Sequence, residues 1–380
     1  MDTSQTVIVK PASELGASDI DAWTDMRAAN PALYSPYFHP DYTRLIGALR
    51  ADAYVAIAMQ GDKYVAFFPY QGPKPGGSGF ARPIGAPMTD YHGFICAPDA
   101  VIDPAQFLAD AGIGALHFSG FVQPGAAIAP YIKETHDCTM MDISGGAEEW
   151  RKARDSSYSR HLKSHRRRVR KASEEIGEPR FVYKSEDQAV FDDLIKWKKQ
   201  KFAETGKFDV LSAGWTLSLL EDLWKRGPEA GLRTDMHALF FGDRLAAVDL
   251  GLTDGVTFHS WIVAYDGELH TYAPGIQLLE GLVDAAQDEG YARIDLGEGL
   301  DGYKRQYAST PVQIGGGFAA VKGPAAALSS LYGATERLGQ KALKDAPGKL
   351  RRRYSQIAAC EDTVSGRARA IFDAVKTSSK

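Results

Sequence analysis

Three residues in the second half of the chain carry side chains suited to acid–base chemistry. His259 lies in an apolar segment, and its ordinary pKa near neutrality makes it the natural proton acceptor. Asp249 interrupts the apolar run 246–252, and Asp295 ends another short apolar segment. Two of them also have purely structural interpretations, His259 as a histidine satisfied within a sheet and Asp295 as the cap of the next turn. The residue types alone leave both interpretations open.

A segment further along could bind a phosphate group. Pro274 and Gly275 favour the start of a helix that continues to Glu289, where Gly290 ends it. The first backbone N–H groups of a helix have no partner within the helix, and they can bind a phosphate or pyrophosphate group. The segment is neither a Walker A loop nor a GxGxxG sequence, and many Pro-Gly helix starts bind no ligand. Its residues are Tyr272, Ala273, Pro274, Gly275, Ile276, Gln277 and Leu278.

The elements that must position these residues form a meander of three strands, 236–241, 244–253 and 256–265. They are joined by Gly242-Asp243 and Asp254-Gly255, which are typical hairpin turns. A helix and a strand over 292–296 follow. The alternation of a strand places His259, Trp261 and Tyr265 on one face of the third strand.

The partner of Asp249 depends on the register of the second hairpin. A two-residue turn at Asp254-Gly255 places Asp249 opposite Ser260, and one more turn residue would place it opposite His259. The sequence does not choose between the two registers.

The rest of the chain is organised around this region. Residues 53–59 and 64–70 predict a hairpin turned at Gly61-Asp62, within a first α/β or α+β domain. The pattern from 147 predicts one long helix that stops before Gly177 and Pro179. We therefore divide the chain into a first unit at 1–145, a basic helical connector at 146–180, a second unit at 181–322 and a basic helical tail at 323–380.

Composition excludes several classes of protein. The chain has 380 residues, 44% of them hydrophobic and 11% aromatic, which rules out a disordered or fibrous chain and predicts two or three domains. The net charge of −4 is uneven. Ten Lys and Arg accompany one acid in 151–171, and ten accompany four acids in 341–380. Anionic partners are therefore expected at these two segments.

The same survey predicts a cytoplasmic protein without a metal. Apolar runs fall short of the ~18 residues of a membrane span, and the first residues lack the pattern of a signal peptide. Three scattered cysteines suit a reducing compartment. His161 and His165 have the spacing of metal ligands on a helix, but the surrounding arginines would repel a cation.

The region 236–307 resembles a known family. Its three strands, its Pro-Gly turn into a helix, its strand with an aspartate and its Gly-x-x-x-Tyr-Lys motif resemble GNAT-related acyltransferases, especially the acetyltransferase domain of CelD-type exopolysaccharide proteins. The FemABX aminoacyltransferases share this plan. The resemblance rests on Tyr265, Asp266, Pro274, Gly275, Gly290, Asp295, Gly299, Tyr303 and Lys304. The first half looks like a degenerate first unit of the same kind. The expected fold is therefore α+β, with two tandem GNAT-like units of mixed, mainly antiparallel sheets flanked by helices, and a helical C-terminal tail.

The resemblance also implies roles. Acetyl-CoA or another acyl-CoA would be the donor, with its pyrophosphate against 272–278 and no metal involved. By the resemblance, Lys304 would stabilise developing negative charge, and Tyr303 would protonate the leaving thiolate or shape the pocket. The residue types add His259 as the candidate base and Asp295 as a catalytic residue that could orient the acceptor. As bare residues, Lys304 could equally be a surface lysine and Tyr303 a packed tyrosine. The residues expected to contact the acceptor are Asp249, Trp261 and Tyr265.

The expected function is acyl transfer from acyl-CoA to the nitrogen or oxygen of a sugar in an exopolysaccharide or cell-envelope precursor. The partner would be a polysaccharide or lipid-linked sugar, with peripheral contact to an anionic membrane at the inner face through 151–171 or 341–380. One alternative is a FemABX-like transferase that uses aminoacyl-tRNA on a peptidoglycan precursor. Only in this alternative would a nucleic acid, the tRNA, be a partner. The basic segment 151–171 has Tyr158 as its single aromatic residue, so it offers little for base stacking. Another is a catalytically inactive scaffold.

Overall fold

A computed structural model describes residues 5–72, 74, 80–122, 128–300, 302–321, 327, 354, 356–361 and 367. The chain forms two compact units. Unit 1 consists of Met1–His136, Ser212–Leu219 and Gln313–Lys380, and unit 2 of Asp137–Leu211 and Leu220–Val312. The four segments expected from the sequence, 1–145, 146–180, 181–322 and 323–380, stay a prediction.

Strands and α-helices alternate along much of the chain. The strands are β1 (Thr6–Pro11), β2 (Ala53–Gln60), β3 (Lys63–Gln71), β4 (Phe80–Pro83), β5 (Ile95–Cys96), β6 (Ala115–Val122), β7 (Ile132–Asp142), β8 (Pro179–Val182), β9 (Arg233–Phe241), β10 (Arg244–Thr253), β11 (Thr257–Tyr265), β12 (Arg293–Glu298) and β13 (Thr310–Ala320). The α-helices are α1 (Ala17–Ala29), α2 (Pro40–Leu49), α3 (Pro104–Asp110), α4 (Ala147–Lys152), α5 (Ser156–Glu175), α6 (Gln188–Thr205), α7 (Gly214–Trp224), α8 (Pro274–Ala285) and α9 (Lys304–Tyr307).

Unit 1 contains a mixed sheet with aromatic packing. Its strands follow the order β1-β2-β3-β4-β6-β13, and β5 pairs with β3. The pairs are antiparallel except for β4 with β6. The predicted hairpin of β2 and β3 is confirmed. Its core is built around the buried side chains of Tyr54, Phe68, Phe107, Phe118 and Phe121.

Unit 2 contains the meander that the sequence predicts. Its strands follow the order β7-β12-β11-β10-β9-β8. Among the described pairings of these strands, β11 with β12 is parallel and the others are antiparallel. Helix α8 packs on β9, β10 and β11, and α6 packs on β10 and β11. The expected α+β class, with mixed and mainly antiparallel sheets flanked by helices, is confirmed.

The long helix predicted from residue 147 is wrong, because the chain breaks it in two. Asp155 lies between α4 and α5 in an extended conformation and caps α5. Its carboxylate accepts hydrogen bonds from the backbone N–H groups of Ser157 and Tyr158, at 2.8 and 3.2 Å. A side chain that satisfies free N–H groups in this way starts a new helix.

Most of the predicted helical tail lies outside the described residues, within which 356–360 are helical. Among the described residues, we find no helix with the length and apolar character needed to cross a bilayer. The same part of the chain holds no group of three or more His, Cys, Asp or Glu residues placed to bind a metal ion.

Candidate active site

The candidate site lies where β11 and β12 separate. The two strands pair in parallel at three positions, of which His259 with Asp295 is the last among the described residues. Beyond it, β11 continues beside β10 and β12 continues beside β7. A bulge accompanies the separation, since Trp261 is an extra residue between Ser260 and Ile262 in the pairing with β10. The bulge interrupts the alternation that the sequence predicts along β11.

Both predicted registers for Asp249 are wrong. Four loop residues, 254–257, separate the paired Thr253 and Phe258, and the bulge adds one more residue on β11, so Asp249 lies opposite Val263. The longer loop has a local cause. The Asp254 carboxylate accepts hydrogen bonds from the N–H groups of Val256 and Thr257, at 3.1 and 2.8 Å. These bonds close a wider turn than two residues would.

Asp249 nevertheless contacts Ser260, although the two are not paired. The Ser260 hydroxyl donates a hydrogen bond of 2.7 Å to Oδ2 of Asp249. The side chain of Asp249 is buried, and its Oδ1 has no hydrogen-bond partner within the described part of the chain. Burial raises the pKa of Asp249 to about 7, against the opposing effects of Ser260 and of the charges on His259 and Lys198. A carboxyl group with this pKa can accept and release a proton near neutral pH.

His259 and Asp295 form a buried pair. Both side chains are fully buried, and Nδ1 of His259 lies 3.5 Å from Oδ2 of Asp295. The other carboxylate oxygen of Asp295 accepts a hydrogen bond of 2.8 Å from the N–H of Gly297. This contact is the turn cap that the sequence allowed as one interpretation of Asp295. The catalytic roles of both residues stay predictions.

Tyr303 and Lys304 begin the short helix α9 beyond the end of β12. Tyr303 is 40% exposed, and its pKa is raised by burial of the phenol and by the negative charge of Asp249. Its hydroxyl therefore keeps its proton at neutral pH and can donate it. The Lys304 ammonium donates hydrogen bonds to the backbone oxygens of Leu296 and Glu298, at 2.7 and 2.9 Å. These bonds fix α9 to the end of β12.

The predicted phosphate-binding segment forms the start of helix α8, and some of its residues are partly exposed. Ala273 has a positive φ of 52°, and Pro274 occupies the first turn of α8. Ala273, Gly275 and Ile276 are partly exposed, whereas Gln277 and Leu278 are buried. The Tyr272 hydroxyl donates a hydrogen bond of 2.6 Å to Glu175. The N–H groups of Ala273 and Ile276 donate to the backbone oxygens of His270 and Ala273, both at 3.1 Å, so the N–H of Gly275 is the one of these three that a pyrophosphate group could use.

Tyr265 contributes an aromatic surface beside this helix start. Its side chain is 41% exposed, and its ring lies 3.9 Å from where a Cβ on Gly275 would be. Trp261, the bulged residue, is half-buried on the same strand. The structure thus places Asp249, Trp261 and Tyr265 along β10 and β11, with Tyr303 electrostatically coupled to Asp249.

Sequence reasoning missed Glu280, which holds α8 to α9 and to the basic segment. Glu280 is 3% exposed and accepts hydrogen bonds from Tyr307, Tyr158 and Arg151, at 2.7, 3.1 and 3.0 Å. A buried carboxylate with three donors is well satisfied. The signal was an acid within the apolar run 278–283, which only a packed structure can connect to its partners.

Comparison with known proteins identifies the kind of domain that part of the chain forms. Residues 159–305, from within α5 to the start of α9, match the family model described as an acetyltransferase (GNAT) domain. The matched segment, less than half of the chain, is thus a GNAT-type domain, and the protein is an acyltransferase. No curated protein matches the chain.

Several solved structures are similar at low identity. The C-terminal domain (DUF2156) of a putative lysylphosphatidylglycerol synthetase from Agrobacterium fabrum has 13% identity and a TM-score of 0.47, over 84% of this chain and 96% of that one. A tandem GNAT protein from the clavulanic acid biosynthesis pathway has 10% identity and a TM-score of 0.47, over 84% and 99%. FemX has 9% identity and a TM-score of 0.49, over 85% and 99%.

Proposed function

We propose that this protein transfers an acyl group from acyl-CoA, with acetyl-CoA as the first candidate, to the nitrogen or oxygen of a sugar in an exopolysaccharide or cell-envelope precursor. The observation that carries the proposal is Asp249. Its buried carboxyl group has a pKa of about 7, an oxygen without a partner among the described residues, and electrostatic coupling to the phenol of Tyr303. The acceptor class follows from the resemblance to CelD-type proteins.

In the proposed mechanism, Asp249 and Tyr303 move the two protons of the reaction. Oδ1 of ionised Asp249 accepts the proton that the acceptor amine or hydroxyl loses as it forms its bond to the acyl carbon. The Ser260 hydroxyl, which donates to Oδ2, fixes the orientation of the carboxylate. The Tyr303 hydroxyl donates a proton to the departing sulfur. When bound, acyl-CoA would supply the thioester, and the N–H of Gly275 at the start of α8 would help to hold its pyrophosphate.

The other predicted residues have supporting places in this proposal. His259 and Asp295 lie buried as a pair at the last paired position of β11 and β12 among the described residues, and their predicted catalytic roles stay part of the proposal. Lys304 fixes the helix that carries Tyr303. Trp261 and Tyr265 provide aromatic surface for the acceptor or the donor.

The proposal also includes a contact between the basic segment 151–171 and the cytoplasmic face of an anionic membrane. The exposed side chains of α5 include Arg160, Lys163, Arg166, Arg167 and Arg170. Phosphate headgroups would be attracted to this face. The other predicted membrane segment, 341–380, lies mostly outside the described residues.

The experiment is acetyl transfer from acetyl-CoA to glucosamine, followed by release of free thiol. We expect kcat/KM to rise with pH through an apparent pKa near 7, the value for Asp249. Asp249→Asn should lose this rise and lower kcat by at least ~10²-fold, because it removes the proton acceptor. Asp243→Asn, an exposed aspartate in the turn before β10, is the matched control and should keep wild-type rates.

Three outcomes would contradict the proposal. Wild-type rates in Asp249→Asn would remove Asp249 from the mechanism. Transfer from aminoacyl-tRNA without any transfer from acetyl-CoA would favour the FemABX-like alternative. Binding of neither donor would favour the scaffold.

A further inference from the structure

Helix α6 carries a lysine on the face that packs against the sheet of unit 2. The buried residues of this helix include Phe191 and Leu194. Lys198 follows Leu194 by four positions, a spacing that keeps two side chains on one face of a helix. Its ammonium donates a hydrogen bond of 3.4 Å to the backbone oxygen of Val263 on β11. A charged group thus occupies a position that the pattern of α6 gives to apolar side chains.

This ammonium lies close to the proposed proton acceptor, because Val263 is the residue that pairs with Asp249 across β10 and β11. Paired residues on antiparallel strands have their Cα atoms about 4.5–5.5 Å apart. Burial has the largest effect on the pKa of Asp249 and raises it. The charge of Lys198 acts in the opposite direction, as do the charge of His259 and the hydrogen bond from Ser260.

Other titratable groups also lie around Asp249. On β9 it pairs with His237, and burial lowers the pKa of that residue to about 4, so its ring is neutral at pH 7. On β11, Nδ1 of His259 lies 3.5 Å from a carboxylate oxygen of Asp295, which balances any charge on that ring. The hydroxyl of Tyr303 keeps its proton at neutral pH, because burial and the charge of Asp249 raise its pKa.

Lys198 differs from these groups because a lysine carries a full positive charge at pH 7. Helix α8, which also packs on β10, contributes the opposite charge of Glu280, but that carboxylate accepts hydrogen bonds from Tyr158 and Tyr307. Where burial keeps water away, a nearby positive charge strongly favours the ionised form of a carboxyl group. The ionised form is the one that can accept a proton from the acceptor substrate.

We propose that Lys198 is a positioning residue of the acyl-transfer site, whose positive charge keeps the carboxyl group of Asp249 ionised and ready to accept a proton. The inference rests on the proposed function, in which Asp249 is the proton acceptor. Loss of the charge should therefore change the pH at which the protein works and leave its rate at high pH intact.

The first test compares pH profiles of kcat/KM for acetyl transfer from acetyl-CoA to glucosamine. Lys198→Met keeps an unbranched apolar stem and removes the charge. Its apparent pKa should lie about one unit above that of wild type, with the same plateau at high pH. Lys198→Arg keeps the charge and should restore the wild-type profile. Lys196→Met is the matched control, because Lys196 is 73% exposed on the same helix, and its profile should not change.

The second test needs no activity. The change in stability on replacing Asp249 with Asn is measured by urea unfolding between pH 4 and pH 9, with Lys198 present and with Lys198→Met. This difference stops growing with pH once Asp249 is ionised in the folded state. The pH at which it levels off should rise by about one unit when the lysine is replaced. The same unfolding curves verify that Lys198→Met is folded.

An unchanged levelling pH in Lys198→Met would overturn the inference. So would an unchanged apparent pKa with a lower plateau, because the charge would then act on the reacting acyl group instead. A matching shift in Lys196→Met would overturn it too, since the effect would then belong to the general charge of the helix. Absence of acetyl transfer in wild type would count against the proposed function alone, because the stability measurement would still report on Lys198 and Asp249.

Discussion

Replacing Asp249 with Asn should stabilise the protein while it removes activity. The pKa of Asp249 is raised from 3.8 to about 7 by burial. Between these two values the folded state binds more protons at this site than the unfolded state, so the free energy of unfolding falls as the pH rises. A difference of about 3 pKa units corresponds to about 4 kcal/mol at pH 8, which is an upper value for the cost of ionising this residue.

Asparagine has nearly the same shape, and its amide oxygen can still accept the hydrogen bond from Ser260. Urea unfolding followed by tryptophan fluorescence, at several pH values between 4 and 8, measures the effect. The stability of Asp249→Asn relative to wild type should increase across this range and be greatest at pH 8. A difference that does not change with pH, or a variant that is less stable than wild type at pH 8, would refute the reasoning. A stable variant without activity would also separate the catalytic role of Asp249 from a structural one.

Two further predictions concern buried groups of unit 2. Glu280→Ala should lower the free energy of unfolding by about 1–3 kcal/mol, because it removes a buried acceptor of the Tyr158 and Tyr307 hydroxyls, while Arg151 keeps its ion pair with Asp284. Asp288 is exposed, so the control Asp288→Ala should change the free energy of unfolding by less than about 0.5 kcal/mol. Similar losses of stability in both variants, measured by urea unfolding, would contradict this prediction. Burial lowers the pKa of His237 from 6.5 to about 4. Between these two pH values His237 is protonated in the unfolded state and neutral in the folded state, so the free energy of unfolding decreases as the pH falls. Wild type should therefore lose about 3 kcal/mol more than His237→Gln between pH 7 and pH 4, and equal pH slopes would rule this out.

The meander of unit 2 could be predicted because its turns are local. Gly242-Asp243 and Asp254-Gly255 mark the ends of β-rich segments, and β9, β10 and β11 follow them closely. The break at Asp155 could also have been predicted, because an aspartate before two serines is typical of the start of a helix. It was missed because the basic residues continue on both sides of Asp155, from Arg151 to Lys171, as they would along one helix.

The register and the site chemistry could not be predicted in the same way. The position of Asp249 depends on two hydrogen bonds made by Asp254 and on the bulge at Trp261, and neither changes the apolar pattern. Its contact with Ser260 exists only because of that irregular pairing. The pKa of Asp249 arises from burial, which belongs to the packed structure.

The contacts of Glu280 determine how the basic segment should respond to hydrogen exchange. Arg151 and Tyr158 precede and begin α5, and both donate to this carboxylate from a part of the chain more than 120 residues away. Opening the start of α5 would leave a buried acid unsatisfied. Its backbone amides should therefore exchange with solvent deuterium only when unit 2 unfolds as a whole, even though its outer face is covered with charge. A segment that composition alone describes as a linker thus belongs to the same cooperative folding unit as α8.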